Sequence, residues 1–311
     1  MTTTPPRLLV VGSVAIDWVI TPRDERPEAV GGSATFFAMA ASYLAPVRLV
    51  GVVGHDFPAA AIDDLRHAGV DLDGLEVVKD GLTFRWKGRY HDNMNARDTL
   101  DTQLNCFASF KPKLPASYRD SEYLFLANIQ PDLQLEVLEQ IERPRLVGLD
   151  TMNLWIDIAR ESLTRVLGRI DVLLINEEEA MQLSGEHNLV KAARAVQRMG
   201  PHSVVVKRGE YGALLFHGDE VFSAPALPLE EVVDPTGAGD AFAGGFMGWI
   251  ARAGAPEGEQ LRTAMIYGST LASFCVQGFS YDGIRRLDRA TIQERFAAFA
   301  HLTDFRRAQL T

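Results

Sequence analysis

The stretch Asp234-Pro235-Thr236-Gly237-Ala238-Gly239-Asp240-Ala241-Phe242 decides how this chain is read. It joins a β-rich segment, residues 221–233, to an apolar helix expected over residues 241–250. The first backbone N–H groups of a helix have no intrahelical partner, and the helix dipole adds partial positive charge at that end. Gly237, Ala238 and Gly239 carry almost no side chain, so an anion can approach those N–H groups closely. Asp240 is out of place in a plain anion site, because a carboxylate repels a phosphate. Beside an anion hole it suits one task, taking a proton from a hydroxyl that attacks a phosphoryl group. The bland alternative is a first-turn acid that complements the dipole.

Outward from this stretch, the 311 residues suffice for one large α/β domain with an elaboration or two small domains, and 47% apolar content allows a sizeable core. The net charge of −10, with no Lys/Arg block, argues against nucleic acid or an anionic membrane surface as partner. Cys106 and Cys275 lack metal-type spacing and read as free thiols in a reducing compartment. Residues 8–20 are apolar enough to suggest a signal-peptide core, but Asp17 interrupts them and residues 1–6 hold no positive cluster. No apolar run is long enough to span a bilayer, so a cytoplasmic protein is expected.

The apolar patterning predicts strands over 8–14, 49–53, 123–127, 145–149, 172–175, 203–207 and 213–216. Helices are expected over 33–44, 59–68, 132–141, 155–168, 177–183 and 189–199. Residues 82–91 and 99–107 alternate around a polar turn at 92–97, which predicts a hairpin outside the main sheet. Short apolar strands alternating with helices imply a mostly parallel sheet with helices on both faces. Ligands of such sheets bind beyond the carboxyl ends of the strands. Gly12, Asp17, Asp150, Asn176, Lys207 and Asp234 are all expected at or just past strand ends. There is no G-x-x-x-x-G-K-[ST] loop, no strand-linked G-x-G-x-x-G, and no metal-type histidine spacing.

Residues 234–247 resemble the second signature of the ribokinase/PfkB carbohydrate kinase family, and the resemblance extends over nearly the whole chain. It implies a ribokinase-like three-layer αβα fold, a single kinase domain over 1–311, and a small β-lid from about 15–30 and 83–107. It places the catalytic base at Asp240 and the anion hole at Gly237, Ala238 and Gly239. Gly12-Ser13-Val14-Ala15-Ile16-Asp17 is similar to the first-strand turn whose aspartate binds substrate hydroxyls, and Gly31-Gly32 to the di-glycine hinge between lid and core. Asn176 and Glu179 resemble the family's N-x-x-E, which acts through water on Mg²⁺ and phosphates. Lys207, Gly209 and Gly212 fall in a loop similar to the one passing over ATP, and Tyr267 and Gly268 in the region that holds adenine. The resemblance also implies a K⁺ site near Asp234 and the 276–280 loop, and a homodimer through the lid.

Taken alone, several of these residues have plainer readings. Asp17 also reads as a solvated turn acid, Gly31-Gly32 as a plain turn, and residues 177–179 as an acidic helix start. Two departures bear on the acceptor. Ala15 and Phe36 stand where sugar-specific members tend to have asparagines, and Asp150-Thr151-Met152-Asn153-Leu154-Trp155 lacks the arginine of the family's D-x-N-x-R. A polyhydroxy sugar would have fewer partners there, whereas Phe36, Phe37 and Trp86 would suit a nucleobase. The family's abundance of sugar kinases leans the acceptor toward the primary hydroxyl of a small sugar, with a nucleoside as the alternative. A second alternative is a non-catalytic nucleotide- or metabolite-binding regulator.

Overall fold

A strand that is apolar and buried along its whole length needs helices on both its faces. Leu8-Leu9-Val10-Val11 is such a run and forms β1 (Leu8–Val11) of the computed structural model, which describes residues 7–254 and 258–304. The 1–6 segment read against a signal peptide lies outside the described residues. The chain then makes β2 (Ala15–Ile20), β3 (Glu25–Gly31), α1 (Ser33–Ala41) and β4 (Val47–Gly54). After α2 (Ala59–His67) and β5 (Val70–Val78), β6 (Phe84–Tyr90) and β7 (Arg97–Gln103) form the expected hairpin. Strands and helices next alternate through β8 (Tyr123–Leu126), α3 (Pro131–Leu138), β9 (Leu146–Asp150), α4 (Asn153–Ile158) and α5 (Arg160–Leu167). The series continues with β10 (Val172–Asn176), α6 (Glu177–Ser184), α7 (Leu189–Gln197) and β11 (Ser203–Lys207). β12 (Ala213–His217), β13 (Glu220–Ala224), α8 (Ala238–Ala253), α9 (Glu259–Cys275) and α10 (Arg289–Thr303) complete the described chain.

Nine strands form one sheet in the order β13-β12-β11-β10-β9-β8-β1-β4-β5. Its pairings are parallel from β11 to β5, and β12 and β13 add an antiparallel edge. Alternate residues of β1 point to opposite layers, as the two-residue period of a strand requires. Leu8 and Val10 pack with α1, α2, α8 and α9, while Leu9 and Val11 pack with α3, α5, α6 and α7. A separate four-stranded sheet, β3-β2-β6-β7, stands outside these layers.

Several expectations are corrected. Only residues 221–224 of the 221–233 stretch are strand, as part of β13, and α8 begins at Ala238 rather than 241. The helix expected over 155–168 is two helices, broken at Ala159 (φ −133°, ψ 31°). β5 was not anticipated, because acids alternate along an edge strand half of which faces water. Asp17 lies within β2 of the smaller sheet, not at an end of the large one. No helix among the described residues is long and apolar enough to cross a membrane.

Candidate active site

Three neighbouring parallel strands end together. β9 ends at Asp150, β10 at Asn176 and β11 at Lys207, with Asn176 paired to Lys207 across the register. The Lys207 Nζ donates to Asp150 Oδ2 at 2.7 Å, and a Cβ on Gly239 would lie only 3.1 Å from that Nζ. The strand ends therefore bring a cation against the N-terminus of α8. Burial disfavours the Lys207 charge, but Asp150, Glu179 and Asp240 more than offset it and hold its pKa above the ordinary range.

The turn into α8 is shaped by Gly237, which takes φ +77° as the N-cap. A Cβ there would be strained by that φ and would meet the Phe36 ring at 2.3 Å. Ala238, Gly239 and Asp240 occupy the first turn of the helix; Ala238 N–H donates back to the Pro235 carbonyl at 3.2 Å, and the N–H groups of Gly239 and Asp240 have no partner within the helix. Burial, then the nearby Asp150 charge, pushes the half-buried Asp240 carboxyl up to about 7, against the opposing pull of Lys207 and Arg97.

Asp17 approaches from the smaller sheet. It is buried, and a Cβ on Gly31 would lie 1.9 Å from its Oδ2, so only glycine fits beside it. Burial, with the charges of Asp234 and Asp240 adding, raises its pKa to about 8. Gly32 then admits the chain to α1, where Ser33 N–H donates to Ser13 Oγ and Ala34 N–H to the Ser13 carbonyl. Those bonds tie the turn after β1 to the exit from β3.

Asn176 and Glu179 form a capping box: Glu179 N–H donates to Asn176 Oδ1 at 2.8 Å and Asn176 N–H to Glu179 Oε2 at 3.1 Å. The motif thus starts α6, whatever else it does. Burial and Asp150 raise Glu179 to about 7, a carboxylate that would gain from a nearby cation. Among the described residues, no three His, Cys, Asp or Glu side chains cluster as a direct metal site. An all-oxygen pair of this kind fits a hydrated Mg²⁺, which keeps several of its waters. Asp234 is fully buried, accepts N–H bonds from Thr236 (2.8 Å) and Ser280 (3.2 Å), and so does meet the 276–280 loop.

Other expectations fare differently. Gly209 (φ +54°) and Gly212 (φ +83°) close a tight loop after Lys207, and the Asn95 side chain of the hairpin tip packs on Gly209. Tyr267 is sandwiched between Trp249 and Phe296 at 4.5 and 4.4 Å, so neither ring face is open to adenine. Gly268 packs on the Phe242 carbonyl. Phe36 lies beneath Gly237, and Phe37 stacks on Phe125 at 4.4 Å, so neither offers a wall to a nucleobase. The reason is that all nine residues of α1 are buried between the sheet and α8. The residue reading gave no role to Asp150, Tyr90 or Arg97. Tyr90 Oη accepts from Thr236 Oγ1 at 3.1 Å, and Arg97 sits opposite Tyr90 in the hairpin register. Asp150 was legible as a strand-end acid, whereas Arg97 carries no local signal.

Comparison with known proteins agrees with this fold. The profile of the pfkB family of carbohydrate kinases matches residues 6–282. A cytidine kinase of Thermococcus kodakarensis is 33% identical over 264 residues, 83% of this chain and 93% of the relative. A nucleoside kinase of Methanothermobacter thermautotrophicus is 28% identical over 295 residues, 87% of this chain and 89% of the relative. The solved Burkholderia thailandensis nucleoside kinase in complex with inosine shares the fold at a TM-score of 0.76 and 20% identity, covering 94% of this chain and 97% of that one.

Proposed function

The chain belongs to the pfkB family of carbohydrate kinases, phosphotransferases with an alcohol group as acceptor, and from that premise we propose that it is an ATP-dependent nucleoside kinase. The observation that carries the reading is Asp240 in the first turn of α8, beside the Gly239 N–H at the helix N-terminus and the Lys207 cation. Phosphoryl transfer needs alignment and charge neutralisation more than covalent chemistry. The α8 N-terminus would hold the γ-phosphoryl oxygens as charge builds on them. Asp17 would orient the acceptor, and Asp240 would take the proton from its primary hydroxyl. Mg²⁺, held through water by Asn176 and Glu179, would neutralise phosphate charge. A monovalent cation beside Asp234 is part of the same proposal.

The lean toward a small sugar gives way to the nucleoside. The relatives at 33% and 28% identity act on nucleosides and match over most of their length. The site agrees, because Ala15 and the buried Phe36 provide no hydrogen-bond partners for extra sugar hydroxyls. The four-stranded sheet would act as the lid that excludes water. An ATP-to-ADP coupled assay against pooled nucleosides and pooled sugars tests the reading. We expect kcat/KM for the best nucleoside to exceed that for any free sugar by about tenfold or more. A preferred free sugar would overturn the acceptor. Binding without turnover would leave a regulator.

A further inference from the structure

The face of the small sheet that looks into the cleft is set by its two-residue period. Trp86, Gly88 and Tyr90 share one face of β6, and Tyr90 reaches Thr236 in the anion-hole turn. In the parallel β2–β6 pairing Asp17 is the register partner of Trp86, so the two side chains project on the same side of the sheet. Trp86 is thus the inner-face neighbour of the residue proposed to hold the acceptor's hydroxyls.

The indole is held flat. A Cβ on Gly88 would lie 2.0 Å from the ring, so the indole lies along the strand over that glycine. Its Nε1 donates to Thr99 Oγ1 at 3.2 Å, which fixes the ring edge. The half-buried ring thus has one side over Gly88. The Arg97 Cζ lies over the ring at 6.0 Å from its centroid, within cation–π reach, so a base stacking on this side would meet that cation as well. Trp18, on the opposite face of the sheet, differs in being capped by Lys87 at 3.4 Å from its ring. Phe36 and Phe37, the other aromatics near the turn, are sealed in the core.

We infer that Trp86 is the platform on which the flat heterocyclic base of the acceptor stacks, and so the residue that separates nucleosides from free sugars. The inference rests on the nucleoside reading and adds to it a specificity-determining side chain. A flat aromatic face accepts any planar base and gives nothing comparable to a free pentose, whose hydroxyls fall to Asp17. Stacking holds the ground state and transition state alike, so its loss appears in KM and not in kcat.

The test is steady-state kinetics at saturating ATP on wild type, Trp86→Ala and Trp86→Phe, with cytidine, inosine and free ribose as acceptors. Melting curves show that each variant is folded. Trp86→Ala should raise the nucleoside KM by about tenfold or more, the scale of one lost base–aromatic stack, with kcat within about threefold. Its ribose kinetics should be unchanged, and Trp86→Phe should stay within about threefold of wild type for nucleosides. Nucleoside titration should quench tryptophan fluorescence in wild type and not in Trp86→Phe. An unchanged nucleoside KM in folded Trp86→Ala, an equal loss toward ribose, or a quench that persists in Trp86→Phe overturns the inference and leaves the kinase reading intact. Wild-type turnover of ribose with none of any nucleoside overturns the acceptor reading, and the inference with it.

Discussion

At the strand ends of the large sheet, charged groups are buried and partnered; on the small sheet facing them, most charge lies nearer the surface, in ion pairs such as Arg85 with Glu28 or along the exposed β7. All five residues of β9 are buried up to Asp150, which grips Lys207, whereas all seven residues of β7 are exposed. The first region is a rigid constellation in a low-dielectric setting, where a carboxylate's pKa moves by several units. The second, with the exposed β7 along its edge, would be the part free to move as the proposed lid. Asp17 belongs to the proposed lid by its strand and to the rigid region by its burial. Acceptor binding and lid position should therefore be linked through that single side chain.

The largest effect is expected where the rigid region does chemistry. Asp240→Asn should fold normally and lose turnover by about 10²–10⁴-fold or more, the usual worth of a general base. In wild type, kcat/KM should rise with pH through about 7, because the carboxyl must be ionised to act and its pKa stands near 7. Near-wild-type turnover in Asp240→Asn would break the comparison at its core.

A smaller effect is expected from the lid. Arg97 makes no ion pair among the described residues, yet its charge pulls down the pKa values of both Asp240 and Glu179. Arg97→Ala should lower kcat by about tenfold, as the loss of one cation near the transferring phosphoryl would. An unchanged kcat would make the lid a cover and nothing more.

The smallest effect is on stability. Burial raises the Asp17 pKa from 3.8 to about 8. Its contribution is thus fully present below the unfolded value and is lost as pH rises through about 8. Asp17→Asn should therefore melt about 3 °C or more above wild type at pH 9, and the gap should narrow steadily below pH 8 and close only near pH 4. A gap independent of pH would place the Asp17 carboxylate in water, with the rest of the lid.

Much of the large sheet was legible because its strands are short apolar runs that need no partner to be recognised. The turn through Gly237, Ala238, Gly239 and Asp240 into α8 was legible because a helix start is local, built from consecutive residues. The capping box at Asn176 and Glu179 is local in the same way. What was misread is not local. Phe36 and Phe37 read as a wall for a base because aromatic composition does not say which face of a helix is covered. The break at Ala159 and the true start of α8 depend on packing against neighbouring elements. Tyr267 has the right residue type for stacking but spends both ring faces on Trp249 and Phe296.

By itself the sequence determined the parallel αβα architecture, the small-residue helix start and the acid beside it, because each follows from residues close together in the chain. Only the tertiary structure decided that Lys207 turns to Asp150 beside Gly239, that Gly237 rests on Phe36, and that Trp86 lies flat next to Asp17. Those contacts join residues 57, 201 and 69 positions apart. Strand register and layer packing set such pairings, and the long-range free energy of burial that fixes them leaves no mark on any one stretch of the chain.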